Sequence, residues 1–408
     1  MSISLQDAVA RVEEVARRLS SEVVGCDASV GRVIAADVSS PLDVPPFANS
    51  AMDGYAVLAA DVVDGSAVLT VIGEARAGAP FDGAVVPGAA VAVSTGAVLP
   101  RGADAVVRVE RTEQTGARVE IRGGHVVPGA DVRPAGDDLA RGHVAMSSGT
   151  RIGAGERAML AALGVVELAV VRRARVAIVA TGDETVQPGR PLRPGAIYES
   201  NSVMIGALAR EAGADTIVEC ASVPDTRAET RSAIAGAIDQ ADVTIVCGGV
   251  SMGAHDHVRP ALAELGVRQV FWQLALRPGH PTWFGHAGDR LVFGLPGNPV
   301  SAYVTFQLLV RTALDRMHGR TRTRLAVPAV YRGPDVHSPA GTTTVIRCRL
   351  GNDPAGLIAS PTAANQRSHA VTSLVGVDAF ALIPESRSRI VDGDLVDVHP
   401  LQWASAGV

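Results

Sequence analysis

The sequence predicts a multidomain protein in which a central α/β domain, built on a doubly wound parallel sheet, lies between two β-rich regions. Three observations predict this class. The chain has 408 residues, which is too many for one hydrophobic core. Apolar strands alternate with amphipathic helices through its middle, and short β-type runs separated by glycine and proline occupy both flanks. We therefore expect domains at about residues 1–171, 172–322 and 323–408.

The N-terminal region begins with an amphipathic helix. Apolar residues recur at helical spacing from Leu5 to Leu19, and Ser4 with Asp7 three residues later resembles a capping box. From about residue 45 to 139 the pattern changes to a β-rich insert. Its predicted strands cover residues 67–72, 90–94, 105–109 and 118–121.

The middle of the chain alternates strand and helix. The predicted strands are 175–180, 216–221, 243–247, 267–276 and 291–293, and the predicted helices are 200–211, 228–240, 258–265 and 301–317. This alternation requires crossover connections, and right-handed crossovers produce a parallel sheet covered by helices on both faces. After residue 322, runs at 325–331, 343–349, 357–360, 378–383 and 395–398 predict the short strands of a small C-terminal β-domain.

Composition excludes several classes of function. The net charge of −5 provides no basic field for a phosphate backbone, so we expect no nucleic-acid partner. The four cysteines form no Cys-x-x-Cys pair, which argues against a disulfide framework or a zinc site. No stretch reaches the roughly 18 apolar residues of a membrane span, so we expect a cytoplasmic protein. The chain has no lysine, so every permanent side-chain cation is an arginine.

The loops that follow the central strands are the first candidates for a site, because an open parallel sheet binds ligands beyond the carboxyl ends of its strands. We expect four such loops to converge on one edge. They are Thr181-Gly182-Asp183-Glu184, Gly248-Gly249-Val250-Ser251-Met252-Gly253, Arg277-Pro278-Gly279-His280-Pro281 and Leu295-Pro296-Gly297-Asn298-Pro299.

These loops carry the residue types that bind anions and metals. Glycines let backbone N–H groups approach a phosphate, and Ser251 precedes a helix whose dipole favours an anion. Asp183, Glu184 and Asp256 are hard oxygen donors, which suit a mostly hydrated Mg²⁺ that bridges to substrate phosphate. Arg277 could neutralise an oxyanion.

Each motif also has an ordinary structural alternative. A Gly-Gly pair after a strand is more often a turn than a phosphate cradle. The Leu295–Pro299 loop could simply set the first turn of the closing helix. Asp256 could be a helix N-cap, and His255 and His257 resemble ordinary surface or core histidines. The convergence of the loops favours the functional interpretation.

A second cluster lies outside the predicted parallel sheet, at residues 45–56. It could be a proline-stiffened linker into a hairpin that turns at Asp53-Gly54, or it could place Asn49, Ser50 and Asp53 in a site. Residues 94–96 and 133–138 belong to the same region, and the latter contain the adjacent carboxylates Asp137 and Asp138. Such neighbours cost energy unless a cation or a hydrogen-bond donor relieves them.

Six motifs in this order resemble the molybdopterin molybdenumtransferase (MoeA) family, which includes the E domain of gephyrin and its plant relatives. The motifs are residues 45–56, 95–97, 132–138, 181–184, 248–253 and 295–302, and the resemblance covers essentially the whole chain. It implies two N-terminal lobes, a central domain similar to molybdopterin adenylyltransferases and a small C-terminal β-barrel. It also implies a homodimer in which the N-terminal lobes of one subunit complete the site on the other.

The resemblance implies a reaction as well. Adenylylated molybdopterin, supplied by an upstream molybdopterin adenylyltransferase, binds with Mg²⁺, molybdate enters, AMP is released and molybdenum cofactor results. The implied catalytic residues are Asp53, Thr95, Asp138, Glu184, Asp225, Asp256 and Arg277. The predicted cofactor-binding residues combine the glycine-rich loops with positions carried over from the family: Gly248, Gly249, Ser251, Gly253, Pro296, Gly297, Asn298, Pro299, Arg347 and Ser368. The predicted metal ligands are the hard oxygen donors Asp183, Glu184 and Asp256.

This chain departs from the family at three cationic positions. Where relatives commonly carry lysines, it has Gln273, Arg277 and His280, so two of the three positions lose a permanent charge. An alternative is therefore a diverged paralogue that binds molybdopterin or its molybdenum cofactor, or acts as a scaffold, with little insertase activity. A third alternative, molybdopterin adenylyltransferase activity, fits only the central third of the chain.

Overall fold

The structure is a computed structural model that describes residues 2–62, 64–250, 256–320, 326–354 and 356–401, leaving aside the side chains of residues 217–222. The chain forms two compact units. One contains Met1–Val23, Gly31–Ala35 and Ala169–Val408, and the other contains Val24–Val30 and Ala36–Leu168. Within the described ranges, no helix is long and apolar enough to cross a membrane.

The N-terminal helix is present as predicted but is shorter. Helix α1 covers Leu5–Val15 and buries Leu5, Ala8 and Val12. The Ser4 hydroxyl oxygen accepts the backbone N–H of Asp7 at 3.0 Å and the hydroxyl donates to the Asp7 carboxylate at 2.9 Å. Ser4 therefore caps the helix, and Asp7 holds the capping hydroxyl in place.

The second unit contains a six-stranded sheet. Its strands are β1 (Gly54–Val57), β2 (Ser66–Ala75), β3 (Ala89–Val93), β4 (Ala105–Arg108), β5 (Thr112–Thr115) and β6 (Arg118–Arg122). They are ordered β4-β1-β3-β2-β6-β5, and neighbours are antiparallel except β2 with β3. The four predicted strands are confirmed. Helix α2 (Ala154–Ala162), which was not predicted, follows in the same unit.

The central part of the other unit is a six-stranded sheet covered by helices. Its elements are β7 (Arg175–Thr181), α3 (Asn201–Glu211), β8 (Asp215–Val223), α4 (Arg227–Gln240), β9 (Val243–Cys247), α5 (Val258–Glu264), β10 (Arg268–Trp272), β11 (Leu276–Arg277), β12 (Trp283–Ala287), β13 (Arg290–Leu295), α6 (Pro299–Thr305) and α7 (Arg311–Met317). A π-helical segment, Phe306–Val310, joins α6 to α7. The sheet order is β8-β7-β9-β13-β12-β10.

Two hydrophobic cores lie on opposite faces of this sheet. Along β7, Val176 and Ile178 belong to one core, whereas Ala177 and Val179 belong to the other. Successive side chains of a strand point to opposite faces, so a fully apolar strand is the pattern of a sheet buried on both sides. The predicted parallel arrangement is confirmed for β8, β7, β9 and β13.

The predicted strand at 267–276 is wrong in its extent and its pairing. It breaks at Gln273, whose φ is +71°, and it becomes the edge strand β10, which pairs antiparallel with the unpredicted β12. Because β12 is in turn antiparallel to β13, β10 still runs in the direction of the parallel strands. The loop after β10 therefore begins at the expected edge of the sheet.

The C-terminal strands form a closed five-stranded barrel. Its strands are β14 (Val327–Tyr331), β15 (Thr343–Asp353), β16 (Gly356–Pro361), β17 (Ala379–Ile383) and β18 (Leu395–Pro400). The ring runs β15-β16-β14-β18-β17 and closes through pairing of β17 with β15. Strand β11 pairs with the start of β15, so the loop after β10 is attached to the barrel.

Ten further short strands lie within the described residues. They are Ser21–Gly25, Val38–Ser39, Asn49–Ser50, Val132–Arg133, Val144–Met146, Glu167–Val171, Thr185–Val186, Ile197–Tyr198, Val336–His337 and Arg389–Ile390.

A buried histidine follows α7. His318 is 3% exposed, and its Nε2 accepts the backbone N–H of Ala174 at 3.0 Å. Burial, reinforced by four neighbouring arginines of which Arg320 contributes most, lowers the pKa of His318 to about 3. The side chain is therefore neutral in the fold, whereas it becomes protonated in the unfolded chain below about pH 6.5.

We expect His318 to make stability fall with acidity. A depressed folded pKa means that the unfolded state binds the proton first, so stability is complete above about pH 6.5 and is lost toward about pH 3. Between about pH 7 and about pH 5, the free energy of unfolding of the wild type should fall about 2 kcal/mol further than that of His318→Gln. Urea unfolding followed by fluorescence of Trp272 and Trp283 measures this difference. Equal losses in both proteins would contradict the prediction.

Candidate active site

Loops that follow the parallel strands meet at one edge of the central sheet and form a cavity of about 830 Å³, which we call the acidic cleft. Its lining includes residues from the loops after β7, β9 and β13 and from the first turn of α3. Four carboxylates contribute: Glu184, Glu199, Asp225 and Asp256. No arginine is among the described residues that line it, so the described lining has acidic side chains and no permanent cation.

Asp183 and Asp225 contact each other through backbone-to-carboxylate hydrogen bonds. The backbone N–H of Asp225 donates to Asp183 Oδ1 at 3.1 Å, and the backbone N–H of Asp183 points at Asp225 Oδ2 at 3.4 Å. Asp225 lines the cleft, whereas Asp183 does not. The Glu184 carboxylate lies over Gly182, whose φ is +138° and where an added Cβ would come within 2.7 Å of Glu184 Oε2. The φ of +138° favours glycine at 182, directly before the residues that bring Glu184 to the cleft.

Two further cleft residues, Glu199 and Asn201, were missed in the sequence. The buried Glu199 carboxylate accepts the backbone N–H groups of Asn201 at 2.7 Å and Ser202 at 2.9 Å, and it also accepts the Ser202 hydroxyl. Asn201 Nδ2 donates to the carbonyl of Gly297 at 2.8 Å, which joins the start of α3 to the loop after β13. The available signal was a Glu-Ser-Asn run directly before a helical pattern.

The Gly-Gly pair after β9 is a turn and also lines the cleft. Gly248 and Gly249 have φ values of +93° and +64°, and an added Cβ at Gly249 would lie 2.6 Å from Val258. Ser251 and Gly253, predicted to bind cofactor, lie outside the described residues, as do Met252 and His255. Helix α5 begins at Val258 with His257 in the N-cap position, so Asp256 is not the N-cap.

The loop after β13 has both of its predicted roles. Asn298 is the N-cap of α6 and Pro299 is its first residue, as the structural alternative requires. Pro296, Gly297, Asn298 and Pro299 also line the acidic cleft.

A second cavity of about 780 Å³, which we call the cationic cavity, lies between the loop after β10, the barrel and residues 364–369. Its ionisable lining residues are Arg277, His280, His337, Arg367 and His369. No aspartate or glutamate is among the described residues that line it. The two cavities share Pro281, Pro296, Asn298 and His369 in their walls. Arg277 therefore lines the cationic cavity, which adjoins the acidic cleft and its carboxylates.

Ser368 lines the cationic cavity, whereas Arg347 is buried behind it. The backbone N–H of Val300 in α6 donates to the carbonyl of Ser368 at 3.1 Å. The side chain of Arg347 is 0% exposed, and its Nη2 donates to the Ser373 hydroxyl at 3.0 Å. Gln366, a lining residue, accepts the backbone N–H of Arg347 at 3.1 Å.

Arg347 is a buried cation without a counter-ion. Across the described parts of the chain, no carboxylate forms an ion pair with it, and its Nε has no hydrogen-bond partner. Burial lowers the pKa of its guanidinium to about 10. Such a charge costs folding free energy that a nearby anion would recover.

The three N-terminal motifs come together in the other unit. The backbone N–H groups of Ser50 and Gly96 bond to the carbonyls of Ala97 and Ser50 at 3.0 and 2.8 Å, and Val132–Arg133 pairs with Asn49–Ser50. The Asp138 backbone N–H donates to the carbonyl of Val44 at 2.9 Å. Residues 44–50, 96–97 and 132–138 are therefore joined by backbone hydrogen bonds.

Asp53 and Thr95 form a direct pair within this cluster. Asp53 Oδ1 accepts the backbone N–H of Thr95 at 2.7 Å and its hydroxyl at 3.0 Å. The Thr95 backbone bond, followed by the hydroxyl bond, lowers the pKa of Asp53. The alternative of a turn at Asp53-Gly54 is wrong because Gly54 begins β1, where an added Cβ would meet the Val107 carbonyl oxygen at 1.9 Å.

Three family models match successive parts of this chain. Residues 3–164 match the MoeA N-terminal region (domain I and II), residues 177–316 match a probable molybdopterin binding domain, and residues 331–401 match the MoeA C-terminal region (domain IV). These matches, in this order, define a protein of molybdenum cofactor biosynthesis.

Relatives and solved structures agree over almost the whole chain. Molybdopterin molybdenumtransferases from Bacillus subtilis and Haemophilus influenzae are 34% and 31% identical, over 97% and 95% of this chain and 93% and 96% of theirs. A molybdopterin biosynthesis MoeA protein from Pyrococcus horikoshii is 32% identical with a TM-score of 0.85, covering 98% of this chain and 100% of that one. The chain belongs to the molybdopterin molybdenumtransferase (MoeA) family and is an enzyme.

Proposed function

We propose that this chain inserts molybdenum from molybdate into the dithiolene of adenylylated molybdopterin, with release of AMP, and so produces molybdenum cofactor. The observation that carries the proposal is the pair of adjoining cavities with opposite charge, which share a wall at Pro281, Pro296, Asn298 and His369. A phosphorylated substrate with its metal suits the acidic cleft, and a small oxyanion suits the cationic cavity.

The acidic cleft would bind the phosphate-bearing part of the substrate. Gly248 and Gly249 present backbone without side chains at its edge, as close approach to a phosphate requires. Glu184, Asp225 and Asp256 would position the water that hydrolyses the adenylate and accept its proton.

Mg²⁺ fits this cleft only with help from the substrate. Among the described residues, no group of three His, Cys, Asp or Glu side chains lies close enough together to hold a metal ion. Mg²⁺ commonly takes one or two carboxylates and completes its shell with water and phosphate oxygens. Glu184 and Asp256 are the carboxylates we propose for that role, and Asp183 is the weaker candidate since it lies outside the lining. The ion would neutralise phosphate charge.

The cationic cavity would bind molybdate as the second substrate. Arg277 provides a permanent charge and a planar set of donors, and Ser368 provides a hydroxyl. Buried Arg347 would add positive potential through a medium that screens it weakly.

The N-terminal cluster completes the proposal through a homodimer. Asp53 and Thr95 form a preorganised pair with an ionised carboxylate, and Asp138 lies on a motif joined to the same backbone cluster. We propose that these residues act at the cleft of a partner subunit, and that a molybdopterin adenylyltransferase supplies the substrate.

The alternative of a diverged binding protein was motivated by Gln273 and His280. Gln273 lines neither cavity, and its backbone N–H and carbonyl are bonded to Thr282 and Ile3 at 3.0 and 3.1 Å. The uncharged side chain at 273 is therefore not part of the described lining of either cavity. His280 remains as the substitution within the cationic cavity.

The proposed function is tested by incubating the purified full chain with adenylylated molybdopterin, Mg²⁺ and molybdate. Release of AMP together with reconstitution of an apo-molybdoenzyme is the expected result. Tight pterin binding without AMP release would instead support the diverged binding protein.

Arg277→Ala gives a sharper test of the cationic cavity. We expect molybdate-dependent cofactor formation to fall by about 10²- to 10³-fold, because one donor to a developing oxyanion is removed. Arg277→Lys keeps the positive charge but loses the planar guanidinium. In this variant, molybdate-dependent cofactor formation should fall by roughly tenfold. Arg268→Ala, on the exposed start of β10, is the matched control and should retain the wild-type rate. Full activity in Arg277→Ala would remove Arg277 from the site.

A further inference from the structure

His280 is held in one tautomer by the backbone. Its Nδ1 lies 2.7 Å from the carbonyl oxygen of Leu274. A carbonyl oxygen only accepts hydrogen bonds, so Nδ1 carries a proton and donates it. The carbonyl of His280 in turn accepts the backbone N–H of Leu274 at 2.8 Å, which fixes the loop around the ring.

This tautomer determines whether Nε2 of His280 is a hydrogen-bond acceptor or a donor. With Nδ1 committed to Leu274, the neutral ring has only a lone pair at Nε2, and a lone pair repels an oxyanion. Protonation at Nε2 converts the same atom into a charged donor. A neutral His280 is therefore unsuited to an anion, and an imidazolium is well suited to one.

The surroundings couple that protonation to the anion. Arg277 on the same loop, His369 and Arg367 on the segment after β16, and His337 from the barrel all line the cavity. Arg347 is buried behind it. Arg277 and Arg367 are permanent cations, and the lining described contains no carboxylate. A dianion bound among these residues would favour an additional positive charge at Nε2 of His280.

We propose that His280 makes oxyanion binding in this chain proton-coupled, so that each molybdate enters the cationic cavity with uptake of one proton onto Nε2 of His280. The inference rests on the proposed molybdate site and goes beyond it. A lysine at this position would be charged before the anion arrives, whereas His280 becomes charged with it.

The test is calorimetric titration of the full chain with molybdate from about pH 6 to about pH 8.5, in pairs of buffers with different ionisation enthalpies. For the wild type we expect the Kd to rise roughly tenfold per pH unit in the upper part of this range, with uptake approaching one proton per bound molybdate. His280→Lys should bind with a Kd that changes less than about twofold over the same range and with little proton uptake.

Two variants separate His280 from its neighbours. His280→Gln should bind molybdate weakly at every pH, with a Kd that no longer changes with pH. His337→Gln removes another histidine from the same lining and should keep the pH dependence of the wild-type Kd. A pH-independent Kd in the wild type, or an unchanged slope in His280→Gln, would overturn the inference while leaving the molybdate site intact. Absence of molybdate binding at every pH would overturn the molybdate site itself and the inference with it.

Discussion

In Asp256→Asn, we expect release of AMP from adenylylated molybdopterin to fall by about 10³-fold. Asp256 is one of four carboxylates among the described residues that line the acidic cleft, and we propose that it attracts the Mg²⁺ of the substrate. Asparagine keeps the shape and removes the charge. The Mg²⁺ concentration for half-maximal rate should rise as well, because the remaining ligands attract the ion less.

Asp239→Asn is the matched control for this substitution. Its side chain is 84% exposed near the end of α4 and lies 3.6 Å from Arg290, away from the residues that line either cavity. Rates of AMP release, measured over a Mg²⁺ titration, should match the wild type in this variant. An unchanged rate in Asp256→Asn would remove Asp256 from the mechanism.

The strands were predictable where the sequence pattern is compatible with only one type of secondary structure. All five strands of the barrel were predicted because the helical period disappears after residue 322 and short β-type runs separated by turn residues follow. The parallel strands β7 and β9 were equally clear as continuous apolar runs. The end of β10 was not predictable, since the β-type pattern of residues 267–276 continues past Gln273, where the backbone adopts a φ of +71°. The sequence alone carries no signal of that break, because left-handed backbone is uncommon outside glycine.

The sequence predicted which loops form the candidate site, but it did not predict how the charged side chains are distributed between the two cavities. Carboxyl ends of parallel strands share an edge, so the loops at 182 and 248 had to approach each other. The separation of Arg277 from the carboxylates depends instead on β11 pairing with the barrel strand β15, a long-range contact between regions that the sequence pattern treats independently. Glu199 was missed because its function in the fold, capping α3, requires knowing that it is buried.

Arg347→Met should raise stability and lower molybdate binding at the same time. Burial lowers the pKa of this guanidinium to about 10, a shift that corresponds to roughly 3 kcal/mol of disfavoured charge at neutral pH. Methionine has a similar length and no charge, and the Ser373 hydroxyl, which loses a partner, still donates to the Ala370 carbonyl at 2.7 Å. We therefore expect the free energy of unfolding to rise by about 1 to 3 kcal/mol and the Kd for molybdate to rise by roughly tenfold.

Arg349→Met provides the control, because it makes the same change two residues along β15 at an exposed position. Urea unfolding and molybdate titration should both be close to wild type for this variant, since an exposed charge is solvated in either state. Lower stability with unchanged molybdate binding in Arg347→Met would show that the guanidinium is a packing element of the barrel. Higher stability with weaker binding would show that the fold bears an uncompensated charge whose natural counter-ion is the substrate, as expected where function opposes stability.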